Sequence, residues 1–97
     1  MRFAICNELF EGWEFRRIVE FVANVGYDGL ELAPFTLAED VTTISAAHRR
    51  ELRELAADHG LALVGLHWLL AKPAGLHLTH PDEAVRSRTI SYLQRLI

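Results

Sequence analysis

Cysteine is almost absent from this chain. Cys6 stands alone, so no internal disulfide can form, and an unpaired thiol among apolar neighbours suits a reducing, cytoplasmic compartment. Clustered basic charge is missing as well: the nearest approach is Arg49-Arg50, with Glu51 directly after it. At a net charge of −3 the electrostatic drive toward nucleic acid is lacking, and no nucleic-acid partner is expected. No apolar run approaches the roughly 18 residues that a spanning helix needs, so no membrane partner is expected either. The apolar start of the chain is too short for a signal peptide and is broken by Asn7, Glu8 and Glu11. Walker-type and dinucleotide glycine motifs are absent, as is a nucleophile elbow. Low-complexity tracts and interdomain linkers are absent too, which leaves one domain over residues 1–97.

What is present is a unit repeated three times. A short apolar run ends in a polar residue, and an amphipathic stretch follows. Half of the residues are apolar (51%), enough to build a buried core around such units. Residues 3–6 read as a strand and 7–12 as a loop. In 13–25 the residues Phe15, Ile18, Val19, Phe21, Val22 and Val25 fall at helical spacing, with Gly26 where a C-cap belongs. Residues 29–32 make a second strand, which Pro34 stops because it has no donor for a ladder.

After a loop over 35–44, Thr43 or Ser45 is placed to cap a helix over 45–59, with Leu52, Leu55 and Ala56 facing inward and Gly60 ending it. Residues 61–66 are almost wholly apolar and read as a strand buried on both sides. A long loop over 67–79 leads to a last helix. Pro81 is expected in its first turn, with Asp82 and Glu83 at its positive end. Val85, Ile90, Leu93, Leu96 and Ile97 carry its apolar stripe.

The repeat of helix, glycine and strand indicates an α/β chain of parallel βαβαβα units. Right-handed crossovers set such strands side by side in order, so their terminal polar residues converge on one rim. Glu31 is the sharpest candidate there. It lies inside an apolar run, where a carboxylate must be paired, ligated or facing a wet cavity. His67 closes the third strand, where an imidazole can bind metal, donate to a substrate oxygen or shuttle protons. Asn7 is placed to fix a sugar or carboxylate oxygen, or to cap its loop. Trp68 and Trp13 can stack on a sugar ring or cover the core.

The pair His77 and His80 has a spacing that two metal ligands use, without an evident third. His48 and His59 read as solvated, Lys72 and Arg86 as ordinary loop and helix cations, and Cys6 as a small buried strand residue.

The run Val25-Gly26-Tyr27-Asp28-Gly29-Leu30-Glu31-Leu32 resembles the helix-to-second-strand segment of the xylose isomerase-like TIM barrels. That superfamily includes sugar phosphate isomerases and epimerases and the endonuclease IV-like enzymes. Residues 3–10 and 65–68 are similar to its first and third strands. The resemblance implies the first three βα units of a (β/α)8 barrel, not closed in this chain, since a full barrel takes about 250 residues.

It also implies a metal-dependent isomerase or epimerase that moves a proton between adjacent carbons of a small sugar or sugar phosphate through an enediolate. The divalent metal (Mn, Mg, Co or Zn) and the catalytic Glu residues would come from later strands. On that basis Glu31 and His67 line the substrate side of the pocket, His67 matching a strand-three histidine that contacts metal in the endonuclease branch, with Asn7 and Trp68 as weaker pocket positions. No catalytic residue and no metal ligand is expected among these 97 residues. The chain alone is expected to be inactive and to bind no metal.

Two other readings stand beside this one. A three-stranded piece of a barrel has open strand edges, which favours self-association or pairing with the missing barrel half. An endonuclease IV-like DNA-repair fragment is the other, with the acidic balance against it.

Overall fold

A computed structural model describes residues 1–97. Strand β1 (Ala4–Cys6) is followed by helix α1 (Phe15–Val25), strand β2 (Gly29–Leu32), helix α2 (Ala46–Asp58), strand β3 (Ala62–Leu66) and helix α3 (Glu83–Arg95). The sheet is parallel in the order β1-β2-β3. Three single turns of 3₁₀-helix, Asn7–Leu9, Pro34–Thr36 and Val41–Thr43, sit in loops that the sequence pattern left without regular structure.

The turns into β2 and β3 are built alike. Gly26 adopts φ +98°; its N–H donates to Ala23 O, and the Tyr27 N–H donates to Val22 O. Gly60 adopts φ +74°; its N–H donates to Ala57 O, and the Leu61 N–H donates to Ala56 O. Both are Schellman endings, which use the left-handed backbone that glycine reaches without a Cβ penalty. Each turns the chain directly into the next strand. Helix α2 opens on Ser45, whose Oγ accepts from the His48 N–H at 3.1 Å.

Asp28 joins the three strands. Its N–H donates to Phe3 O at 2.8 Å, its carboxylate accepts from the Phe3 N–H at 2.8 Å, and its carbonyl accepts from the Ala62 N–H at 3.0 Å. Gly29 then lets the strands close up. A Cβ built there would lie 2.8 Å from Val64 Cγ1 and 2.9 Å from Ala62 O. Beyond this point β2 and β3 pair Leu30 with Leu63 but Glu31 with Gly65, so Val64 is the extra residue of a bulge.

The core lies between the sheet and its helices. Ile18, Val19 and Val22 of α1 meet Leu30 and Leu32 of β2, Ala56 of α2, and Leu61. Phe21 and Val25, read as part of the inward stripe, are exposed instead.

Strand β3 departs from the expectation of burial on both sides. Val64 is 56% and Leu66 41% exposed, because β3 is an edge strand and no element of these residues covers its outer face. Helix α3 departs too. Its cap is Asp82, whose carboxylate accepts from the Ala84 N–H, so Pro81 lies before the helix and not in its first turn. Its buried residues are Thr89 and Tyr92, while Ile90 and Ile97 face out. The reason is that α3 seats on the long loop by polar contacts: the His77 N–H donates to Thr89 Oγ1, and the Tyr92 hydroxyl donates to Lys72 O.

Replacing Gly29 by alanine is expected to destabilise the chain by about 1–3 kcal/mol, the usual cost of forcing a methyl group into filled space. Urea unfolding of the two proteins reads this directly, and equal midpoints would refute the close approach.

Candidate functional site

The C-terminal ends of the three strands form one rim. Cys6 pairs with Glu31 across β1 and β2, and the His67 N–H donates to Leu32 O at 2.8 Å, prolonging the β2–β3 ladder by one step. Parallel pairing therefore delivers the side chains after each strand to the same side of the sheet.

Glu31 and His67 come together as the repeat implied. His67 Nδ1 lies 3.6 Å from Glu31 Oε2, and on its other side His67 Nε2 lies 3.6 Å from Glu8 Oε1. The imidazole sits between two carboxylates, one from β2 and one from the turn after β1. All three side chains are part-exposed, at 45% for His67, 38% for Glu31 and 26% for Glu8. Both separations exceed hydrogen-bond length, so the three groups face one another across small gaps. The Sγ of Cys6, a Glu8 oxygen and a His67 ring nitrogen all fall within 4.8 Å of one another. Glu8 Oε2 is buried without a hydrogen-bond partner.

Asn7 lines the cleft beside the rim, and of the two roles that the sequence left open its amide takes the structural one. It is only 2% exposed; its Oδ1 accepts from the Ala33 N–H at 2.8 Å and its Nδ2 donates to Thr36 Oγ1 at 2.7 Å. Its amide braces the exit of β1 against the exit of β2. The 3₁₀ turn at Asn7–Leu9 sends Asn7 inward and leaves the next residue, Glu8, to take the rim position. Glu8 was missed because the sequence argument stopped at the first polar residue after each apolar run. Its place directly after that residue was the available signal.

Trp68 turns away from the strand at φ +53° and is 63% exposed. Its ring meets Phe35 edge-on, with centroids 5.6 Å apart. The two rings, with Phe10, Trp13, Glu8 and Leu37, line a cleft of about 730 Å³ beside the rim. Phe35 was not singled out from sequence, since a lone aromatic in a loop carries no periodic signal. Trp13 packs with Phe10 and Phe21 and carries the Arg17 guanidinium 3.7 Å above its ring, so it serves both packing and the cleft wall.

The other candidates have structural partners. His80 Nδ1 accepts from the Asp82 N–H beside the α3 cap, and Arg86 donates to His80 O and Pro81 O. Lys72 pairs with Glu39 at 2.6 Å, His48 faces Glu51, and His59 bonds Leu55 O.

Burial pushes the Cys6 thiol above its ordinary value; the Glu8 and Glu31 charges add to this, while backbone hydrogen bonding at Glu8 opposes it. A raised thiol is less ionised at neutral pH, and the thiolate is the nucleophile. In the metal-free chain Cys6 is therefore expected to react with iodoacetamide more slowly at pH 7.5 than an unstructured cysteine peptide does. A rate equal to the peptide's would contradict the raised value.

The geometry and the comparisons with known proteins agree. Among solved structures, a D-psicose 3-epimerase from Clostridium cellulolyticum H10, determined with D-tagatose, is similar at 25% identity and a TM-score of 0.73, over 99% of this chain and 33% of that one. A D-psicose 3-epimerase determined in the presence of D-fructose is similar at 25% identity and a TM-score of 0.67, over 99% of this chain and 34% of the other. The chain thus spans about a third of the length of these solved structures. Curated proteins give no significant match. The family model for the xylose isomerase-like TIM barrel matches residues 19–97, and with three parallel βα units and a polar strand-end rim in hand, the chain belongs to that family.

Proposed function

We propose that these residues are the N-terminal βα units of a divalent-metal-dependent isomerase or epimerase acting on a small sugar or sugar phosphate. The observation that carries this is the rim itself: Glu31 and His67 stand 3.6 Å apart at the strand ends. That is the end of a parallel α/β barrel where substrates bind. The family and the two psicose epimerase neighbours support the same reaction class.

In this reading the Glu31 carboxylate accepts from sugar hydroxyls and orients the ring carbons that exchange a proton. His67 lines the pocket beside Glu31 and helps to position the substrate. Trp68 and Phe35 present apolar surface to the C–H face of the sugar and exclude water from it. When bound, a divalent metal supplies electrostatic stabilisation of the negative charge that develops on substrate oxygen. The thiol, carboxylate and imidazole clustered at the rim are donors of the kind such a cation takes. Proton abstraction belongs to groups outside these 97 residues, so the chain by itself is inactive in this reading.

Glu31→Ala in the complete enzyme is expected to lower kcat/KM by about ten- to a hundredfold, the worth of one charged hydrogen bond to substrate. An unchanged kcat/KM would remove Glu31 from the substrate side.

A second reading follows from the open sheet. β1 and β3 each have one unpaired edge, and Val64 and Leu66 are exposed on β3. Edges of this kind template pairing with another strand, in a second copy or in further units of the barrel. The isolated chain is expected to sediment as a dimer or larger species at micromolar concentration. A stable monomer would exclude self-pairing.

A further inference from the structure

Cys6, Glu8 and His67 come from two different strand ends, yet their donor atoms lie within 4.8 Å of one another. His67 Nε2 and Glu8 Oε1 are separated by 3.6 Å. Bond lengths of about 2.0–2.3 Å to nitrogen, oxygen and sulfur put the ligand atoms of a tetrahedral metal roughly 3.3–3.8 Å apart. The imidazole and the carboxylate already stand at that spacing, and the thiol lies within 4.8 Å of both. Glu8 Oε2 is buried with no partner, a cost that a bound cation offsets.

The other ring nitrogen of His67 is also accounted for. Nδ1 faces Glu31 Oε2 at 3.6 Å. A ligating histidine ordinarily gives its second N–H to a carboxylate, which fixes the tautomer and sharpens the ligand.

From this we infer that Cys6, Glu8 and His67 of this chain bind a divalent transition metal of the zinc or cobalt class by themselves, with Glu31 as the positioning residue for His67. A thiolate and a carboxylate balance the two positive charges, and the thiol proton leaves to solvent on binding. Soft sulfur beside imidazole selects zinc or cobalt over magnesium, which prefers oxygen ligands. The site leaves a fourth position open at the rim. The inference does not rest on which reaction the whole protein performs, and it reverses the sequence expectation that no metal ligand lies in these residues.

The test is a cobalt(II) titration of the metal-free 97-residue chain, followed by absorbance. Saturation at one equivalent is expected, with a thiolate-to-cobalt charge-transfer band that zinc displaces. Cys6→Ser abolishes the band, and Glu8→Gln and His67→Gln weaken binding. Glu31→Gln keeps the band but lowers affinity by about ten- to a hundredfold. Circular dichroism of each variant separates lost binding from lost folding. One further measurement needs no variant: zinc protects Cys6 of the wild-type chain from iodoacetamide. Helix signal that appears together with the band supports the site equally. The absence of a saturable band, a band that survives Cys6→Ser, or alkylation unaffected by zinc would each overturn it.

Discussion

Asp28 holds the starts of all three strands at once, through two hydrogen bonds to Phe3 and one to Ala62. The next residue has no side chain, and that gap is where Val64 and the Ala62 carbonyl lie. Together these two residues set how close the strands come and where each begins. From that start the β2–β3 ladder runs in register to Leu30, and the bulge at Val64 then shifts it by one residue. Cys6 therefore meets Glu31, Glu31 meets Gly65, and His67 follows Leu66 onto the rim. A different start would separate the imidazole from both carboxylates.

The rim that results is electrostatically unusual for a single histidine. One carboxylate faces each ring nitrogen, while the buried Asn7 amide and the Ala33 N–H hold the backbone beneath them. In the proposed reading this site grips a positive ion and orients a polyol, with the aromatic wall of Trp68 and Phe35 against the less polar face of the ligand.

Much of this was legible beforehand. The glycines at 26 and 60 announced helix endings, since the αL backbone they adopt is closed to most residues. Ile18, Val19, Val22 and Ala56 fell on helical stripes by period alone, and all four lie in the core. The alternation of strand and helix implied parallel order, and with it the meeting of residues 31 and 67. Glu8 was not foreseen at the rim because a single 3₁₀ turn decides which of two adjacent polar residues points inward, and neighbouring polar residues carry no periodic signal. Strand β3 read as doubly buried because its composition reports the environment it is built for, whereas burial depends on which elements are present to cover it. Helix α3 seats on Thr89 and Tyr92, two side chains whose mixed character hid them from an apolar stripe.

The amino-acid order by itself determined the three βα units, the glycine endings of the first two helices, the parallel direction of the strands and the placing of a carboxylate and an imidazole at strand ends. Local propensity and periodicity are enough for those, since each depends on residues close in the chain. Only the tertiary structure decided that Cys6 and Glu8 join His67, that Asn7 is spent on bracing the rim, and that the outer face of β3 lies open. Those depend on angstrom-scale approach between residues far apart in the chain, set by register and one local turn, and no pattern along the chain encodes a distance of that kind.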